Sequence, residues 1–86
     1  MGASDAAIIA ASLEEPVCFA QIFDRHADAV RRFAIARVGV SGGEDLASEV
    51  FRIAFERRSS FDGQAASALP WLYGIALNLV RREMRG

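Results

Sequence analysis

Nowhere along this chain do apolar and polar residues alternate with period two; apolar residues recur at helical spacing, in three stretches parted by short breaks. That pattern predicts an all-α fold, a compact bundle of three to four helices. The first stretch, "PVCFAQIFDRHADAVRRFAIARVG", offers Val17, Phe19, Ala20, Ile22 and Phe23, then Val30, Phe33, Ala34 and Val38. A bend is expected near His26–Ala27, and Gly39 ends the segment as a C-terminal glycine does. The second, "SGGEDLASEVFRIAFERR", opens on Ser41 as N-cap with Glu44 three residues on. Leu46, Val50, Ile53 and Ala54 make its core stripe, and Arg57 and Arg58 suit its negative end. The third is "LPWLYGIALNLVRREMRG", with Leu72, Ile75, Ala76 and Leu79 on the core side. Ser67 can cap it, and Pro70 falls in the first turn, where its missing N–H is not needed. Residues 1–11 read as a flexible, frayed start. The capping box "SLEE" makes Ser12 the opening of the helical domain, 12–86.

Eighty-six residues allow one modest core, and 52% hydrophobic against 24% charged residues is a composition that folds. The single cysteine, Cys18, can form no internal disulfide, which fits a reducing compartment. No apolar run approaches a membrane span, and the start "MGASDAAIIAASLEE" lacks the positive n-region of a secretory signal. The expected location is the cytoplasm. Net charge is −1, but it is unevenly spread: residues 1–50 hold four arginines and eight acids, and residues 51–86 hold six arginines and three acids. Any contact with phosphate therefore belongs to the C-terminal half. Every basic residue is Arg, which reflects either codon usage or a demand for the guanidinium fork on phosphate and bases.

Catalysis needs a nucleophile with a base, a carboxylate pair in a pocket, or a metal cluster. Cys18 and His26 lie eight apart on a helical stretch, roughly 80° out of phase, and read as packing residues. The glycines of "VGVSGGED" lack the Lys-Ser/Thr of a phosphate loop, and "GEDLASE" lacks the alternating ligands of a calcium loop. No Cys/His spacing suits zinc. The expectation is a non-enzyme, with no cofactor, no metal and no small-molecule substrate.

Two polar faces remain. Asp45, Ser48, Glu49, Arg52 and Glu56 share an arc of roughly 100° on the second long helix. They read either as a solvated face laced with pairs or as a docking face for a basic protein surface. A recognition helix for duplex DNA is opposed by the carboxylates, which would face a phosphate-lined groove. On the last helix Trp71, Gly74, Asn78, Arg81, Arg82 and Arg85 share a similar arc of about 100°. Arg81, Arg82 and Arg85 can hold phosphates, and Asn78 can read base edges or bond an adjacent loop. Trp71 offers a stacking surface for a base or plugs the core with its N–H at the rim. Gly74 lets a strand or a neighbouring helix come close.

Taken in order, "FAQIFDRHADAVRRFAIARVG", "GEDLASEVFRIAFERRSSFD" and "PWLYGIALNLVRREMR" resemble region 2 of an extracytoplasmic-function sigma factor over about residues 17–86. The resemblance implies that the "EDL..EVF" helix docks on the coiled coil of the RNA polymerase β′ subunit through Asp45, Leu46, Ser48, Glu49, Val50, Phe51 and Arg52. The family usually has Gln where this chain has Ser48. It implies too that the loop Ser59 to Ala66, with Phe61 and Asp62, helps hold a base flipped from the promoter −10 element. The last helix, with Trp71, Asn78, Arg81, Arg82 and Arg85, would meet the melted non-template strand. Family members often carry a basic residue where this chain has Leu77. Partners so implied are the polymerase core, promoter DNA and an anti-sigma factor. The family's second domain, which reads the −35 element, is absent from these residues, so a fragment of a longer sigma factor is expected. The alternative is a sigma-like interaction module without promoter activity.

Overall fold

A single residue, Gly39, separates helix α2 (Ala20–Val38) from helix α3 (Val40–Glu56), in a computed structural model that describes residues 2–85 and side chains through Glu83. Gly39 holds φ 87° and ψ 171°, a backbone state open to glycine and strained for other residues. The chain therefore turns without a loop, and α3 packs along α2. Gly43 makes the approach close: a Cβ there would sit 2.7 Å from the backbone N and Cα of Ile35. Helix α4 (Leu69–Arg85) lies against both, and α1 (Asp5–Ser12) closes the other side, with 3₁₀ turns at Pro16–Phe19 and Arg58–Ser60. There is no strand among the described residues, as the absence of period-two patterning predicts.

The core is built where the stripes predicted it. Ile22, Val30 and Ala34 from α2, Val50 and Ala54 from α3, and Leu72 and Ala76 from α4 are wholly buried. Leu46 and Ile75 join them, with Phe33, Val38, Ile53 and Leu79 half-buried around the edge. Alanines at the crossing points let the helices approach, and the branched side chains fill the layers between. Phe33 stacks on Tyr73 at 4.4 Å between ring centroids, tying α2 to α4, and Arg37 covers the Phe33 ring at 4.0 Å.

The N-terminus departs from expectation. Residues 1–11 do not form a frayed start, because Asp5–Ser12 is a helix. Ser4 caps it, its Oγ accepting the Ala7 N–H at 3.1 Å. Ile8 and Ile9 are core residues. Ser12 ends this helix rather than opening the next, and its buried hydroxyl donates to the Ile9 carbonyl at 2.6 Å. The Ser12 carbonyl in turn accepts from Arg58 Nε at 3.3 Å, fastening α1 to the end of α3.

Other local expectations are corrected as well. Helix α2 runs through His26–Ala27 without a break. Ser41 lies inside α3 and makes no cap bond, and Glu44 instead pairs with Arg31 of α2 at 3.0 Å. Val17 and Phe23, read as apolar packing positions, are 77% and 49% exposed. At α4 the capping expectation is met: Ser67 Oγ accepts the Leu69 N–H at 3.1 Å, and Pro70 is the second helical residue.

Candidate functional site

Helix α3 turns one charged stripe outward. Asp45, Ser48 and Arg52 are exposed and Glu49 half-exposed. Arg52 sits between two carboxylates: its Nε donates to Glu49 Oε1 at 3.0 Å, its Nη2 to Glu49 Oε2, and its Nη1 to Glu56 Oε2 at 2.7 Å. Charge sets both protonation states. The hydrogen bond from Arg52 holds the Glu49 carboxyl below its ordinary value, helped by the nearby positive charges of Arg52 and Arg82. Glu49, bonded and facing it, pushes the Arg52 guanidinium above its own ordinary value. Of the pairs that spacing allowed on this face, the Glu49–Arg52 bond forms, together with a second to Glu56. Exposed pairs of this kind contribute little stability, because solvent screens them and ordering the side chains costs entropy.

Three residues named with this stripe lie beneath it. Leu46 is 7% exposed, Phe51 is 8% and Val50 is wholly buried. Phe51 packs edge-on against Phe23, 5.0 Å between centroids. They belong to the core and hold the stripe in place. A side chain at helix spacing from the outer face can still point inward, and "EDL..EVF" alternates between the two.

Helix α4 carries the opposite charge. Asn78, Arg81 and Arg82 are exposed on it, and with Arg57 at the end of α3 they rim an open groove of about 300 Å³ floored by Ile53 and Ile75. Among the described residues no carboxylate lines that groove, and none of the three arginines has an acidic oxygen within 4.0 Å. Three guanidinium groups around an apolar floor, with one side-chain amide, are suited to a phosphodiester chain bearing bases. The Arg85 side chain lies outside the described residues. A wider groove of about 830 Å³ joins the two faces, with Asp45 and Glu49 on one wall and Arg82 and Glu83 on the other.

At the far end of α4, Trp71 is half-buried against the core and tilted over Phe61, 5.0 Å between centroids. The core reading of Trp71 is met in part, because one side packs and the residue is not sealed. Phe61 is half-buried beside it, so the loop Ser59–Ala66 and the helix share one aromatic pair. Asp62 is exposed, and its Oδ1 accepts the Gln64 N–H at 2.9 Å, shaping the loop it was expected to serve. Gly74 is exposed, and a Cβ there would meet nothing within 4 Å. No neighbouring helix uses that gap.

The residue missed in sequence is Asp5. Its carboxylate is 5% exposed, yet it accepts from Arg25 Nη1 at 3.0 Å, His26 Nε2 at 2.7 Å and the Ala68 N–H at 2.8 Å. Burial alone would raise its pKa, but the Ala68 N–H, His26 and Arg25 together hold it below the ordinary value. A signal was present in "ASD", a Ser N-cap followed by an acid in the first turn.

The geometry is that of an all-helical domain with a self-paired charged stripe on one helix and a cationic groove with an aromatic pair on another. Residues 22–86 match the family model for sigma-70 region 2, more than half of the chain. The chain belongs to that family, whose members are transcription initiation factors that bind RNA polymerase and recognise the promoter −10 element, not enzymes. No curated protein and no solved structure matches it. Among the described residues no helix is long and apolar enough to cross a membrane.

Proposed function

We propose that this chain is the region 2 domain of an extracytoplasmic-function sigma factor, working in the cytoplasm with its two faces divided between two partners. The exposed stripe of α3, Asp45, Ser48, Glu49 and Arg52, docks on the β′ coiled coil. The face of α4, Asn78, Arg81, Arg82 and Arg85 with Trp71, and the loop bearing Phe61 and Asp62 hold the melted non-template strand of the −10 element. An anti-sigma factor competing for these faces is the natural regulator.

The observation that carries this reading is the groove of Arg57, Asn78, Arg81 and Arg82, which no carboxylate lines among the described residues. Clustered cations repel one another, and a phosphate backbone relieves that repulsion while releasing counterions. Melting exposes bases at a cost of a few kcal/mol each, and an aromatic surface recovers roughly 1–3 kcal/mol per base. Trp71, with Phe61 beside it, lies about 15 Å along α4 from Arg81, at 1.5 Å per residue. One strand can therefore run from the aromatic pair to the arginines.

Fluorescence anisotropy with matched single-stranded and duplex DNA of the same sequence tests the strand assignment. The expected result is tighter binding of the single strand, weakening steeply with salt. Equal binding of both forms with no salt dependence would refute it.

A further inference from the structure

Helix α4 begins without an acidic residue in its own first turn, and its second residue is Pro70. A helix start needs partners for its free N–H groups and favours a negative charge. Ser67 supplies one partner, to Leu69. The other comes from the far end of the chain, where Asp5 Oδ2 accepts the N–H of Ala68, itself wholly buried. Ser67 Oγ also lies 3.5 Å from the same oxygen. The carboxylate is anchored on its other side by Arg25 and His26 of α2. One side chain of α1 thus joins α2 to the exact turn of chain that connects the Phe61 loop to Trp71.

We propose that Asp5 is a positioning residue for strand binding: from α1 it fixes the start of α4, and so sets the Phe61–Trp71 pair in the geometry that receives an unstacked base. This rests on the strand-binding reading of α4. The physical basis is that a buried carboxylate with three donors cannot move without leaving charges or an N–H unpaired. The backbone at Ala68 is held to α2 through it, and Trp71 follows three residues later on a rigid helix. Without the carboxylate, Ala68 and the loop before it are tied down only by the Ser67 cap and by packing. Asp5 makes its hydrogen bonds to α2 and to the start of α4 and none to α3, so the docking stripe of α3 should not depend on it.

The test is Asp5→Ala, which removes every acceptor at this position, compared with wild type by hydrogen exchange and by anisotropy with a fluorescein-labelled single-stranded DNA of randomised sequence. Exchange of amides 61–72 should quicken at least about tenfold, while amides 46–54 of α3 stay protected. Strand affinity should fall roughly three- to tenfold, the range of indirect coupling. Removing a negative charge would by itself strengthen DNA binding, so the expected change has the opposite sign to the bulk electrostatic one. Unchanged exchange over 61–72, or faster exchange with unchanged strand affinity, overturns the proposal. If the variant fails to fold, wild-type exchange decides: Ala68 N–H must be as protected as the α3 core, and fast exchange there overturns the proposal. If wild type binds no strand at all, the strand-binding reading falls, and the exchange result still decides whether Asp5 sets the start of α4.

Discussion

The outward stripe of α3 and the outward face of α4 are both charged, both helical and close enough for Arg82 to act on Glu49. They differ in what their charges already have. On α3, Arg52 is satisfied by Glu49 and Glu56, and Arg31 reaches across from α2 to Glu44. On α4, Arg81 and Arg82 and the neighbouring Arg57 face a groove without a carboxylate. A paired stripe presents a fixed pattern of hydrogen-bonding groups, and three carboxylates to one arginine leave it net negative, which suits a basic protein surface of matching pattern. A cluster of like charges around an apolar floor suits a polyanion. Charge sign separates these faces, and the pairing sharpens the difference.

The largest effect should come from confusing the α3 stripe with the core beneath it. Phe51→Ala removes a buried ring and should cost about 3–5 kcal/mol in chemical denaturation. Arg52→Ala, one residue on, breaks three exposed hydrogen bonds and should leave the denaturation midpoint nearly unchanged. Similar costs for the two would mean that the stripe is structural. Next, Arg81→Ala with Arg82→Ala should weaken strand binding and lower the slope of log affinity against log salt by about 1.4, two single-strand phosphate contacts. An unaltered slope would take both residues off the strand.

Acid should also divide the two faces. The Asp5 carboxyl is held below its ordinary value of 3.8, so its contribution to stability is complete above that value and disappears as pH falls through the folded one. Trp71 emission, from the only Trp in the chain, should therefore change below about pH 4, ahead of the loss of α3 amide protection. Simultaneous loss would show that the start of α4 has no separate dependence on Asp5. The smallest effect is at Gly74, an exposed helical glycine with open space around it. Gly74→Ala should raise stability by about 0.5–1 kcal/mol. Weaker strand binding in the same variant would place the strand against this backbone, and unchanged binding would place it elsewhere.

The long helices were legible because each stripe repeats with the helical period, and Val30, Ala34, Val50, Leu72 and Ala76 are buried where that period puts them. The outward positions Asp45, Ser48, Glu49 and Arg52, and Asn78, Arg81 and Arg82, were legible for the same reason. Helix α1 was not. Its "AAIIAA" has no charged face to define a stripe, and what secures Asp5 is an N–H sixty-three residues away. Separation of that size leaves no local pattern. Leu46, Val50 and Phe51, which the family motif places with the docking face, are core side chains beneath it, with Leu46 also lining the groove between the two faces. Phe23 and Val17 were assigned by hydropathy, but the short 3₁₀ entry into α2 turns them outward.

The division of labour between the faces is tested most directly by co-elution with the β′ coiled-coil fragment, using wild type, Glu49→Arg, and the Arg81→Ala, Arg82→Ala double variant. Glu49→Arg reverses a charge and sets a second arginine beside Arg52, and binding should fall by more than about 100-fold with the circular dichroism unchanged. The double variant should co-elute as wild type does. Docking that survives Glu49→Arg, or that is lost with Arg81 and Arg82, would contradict the assignment of polymerase to α3 and the strand to α4.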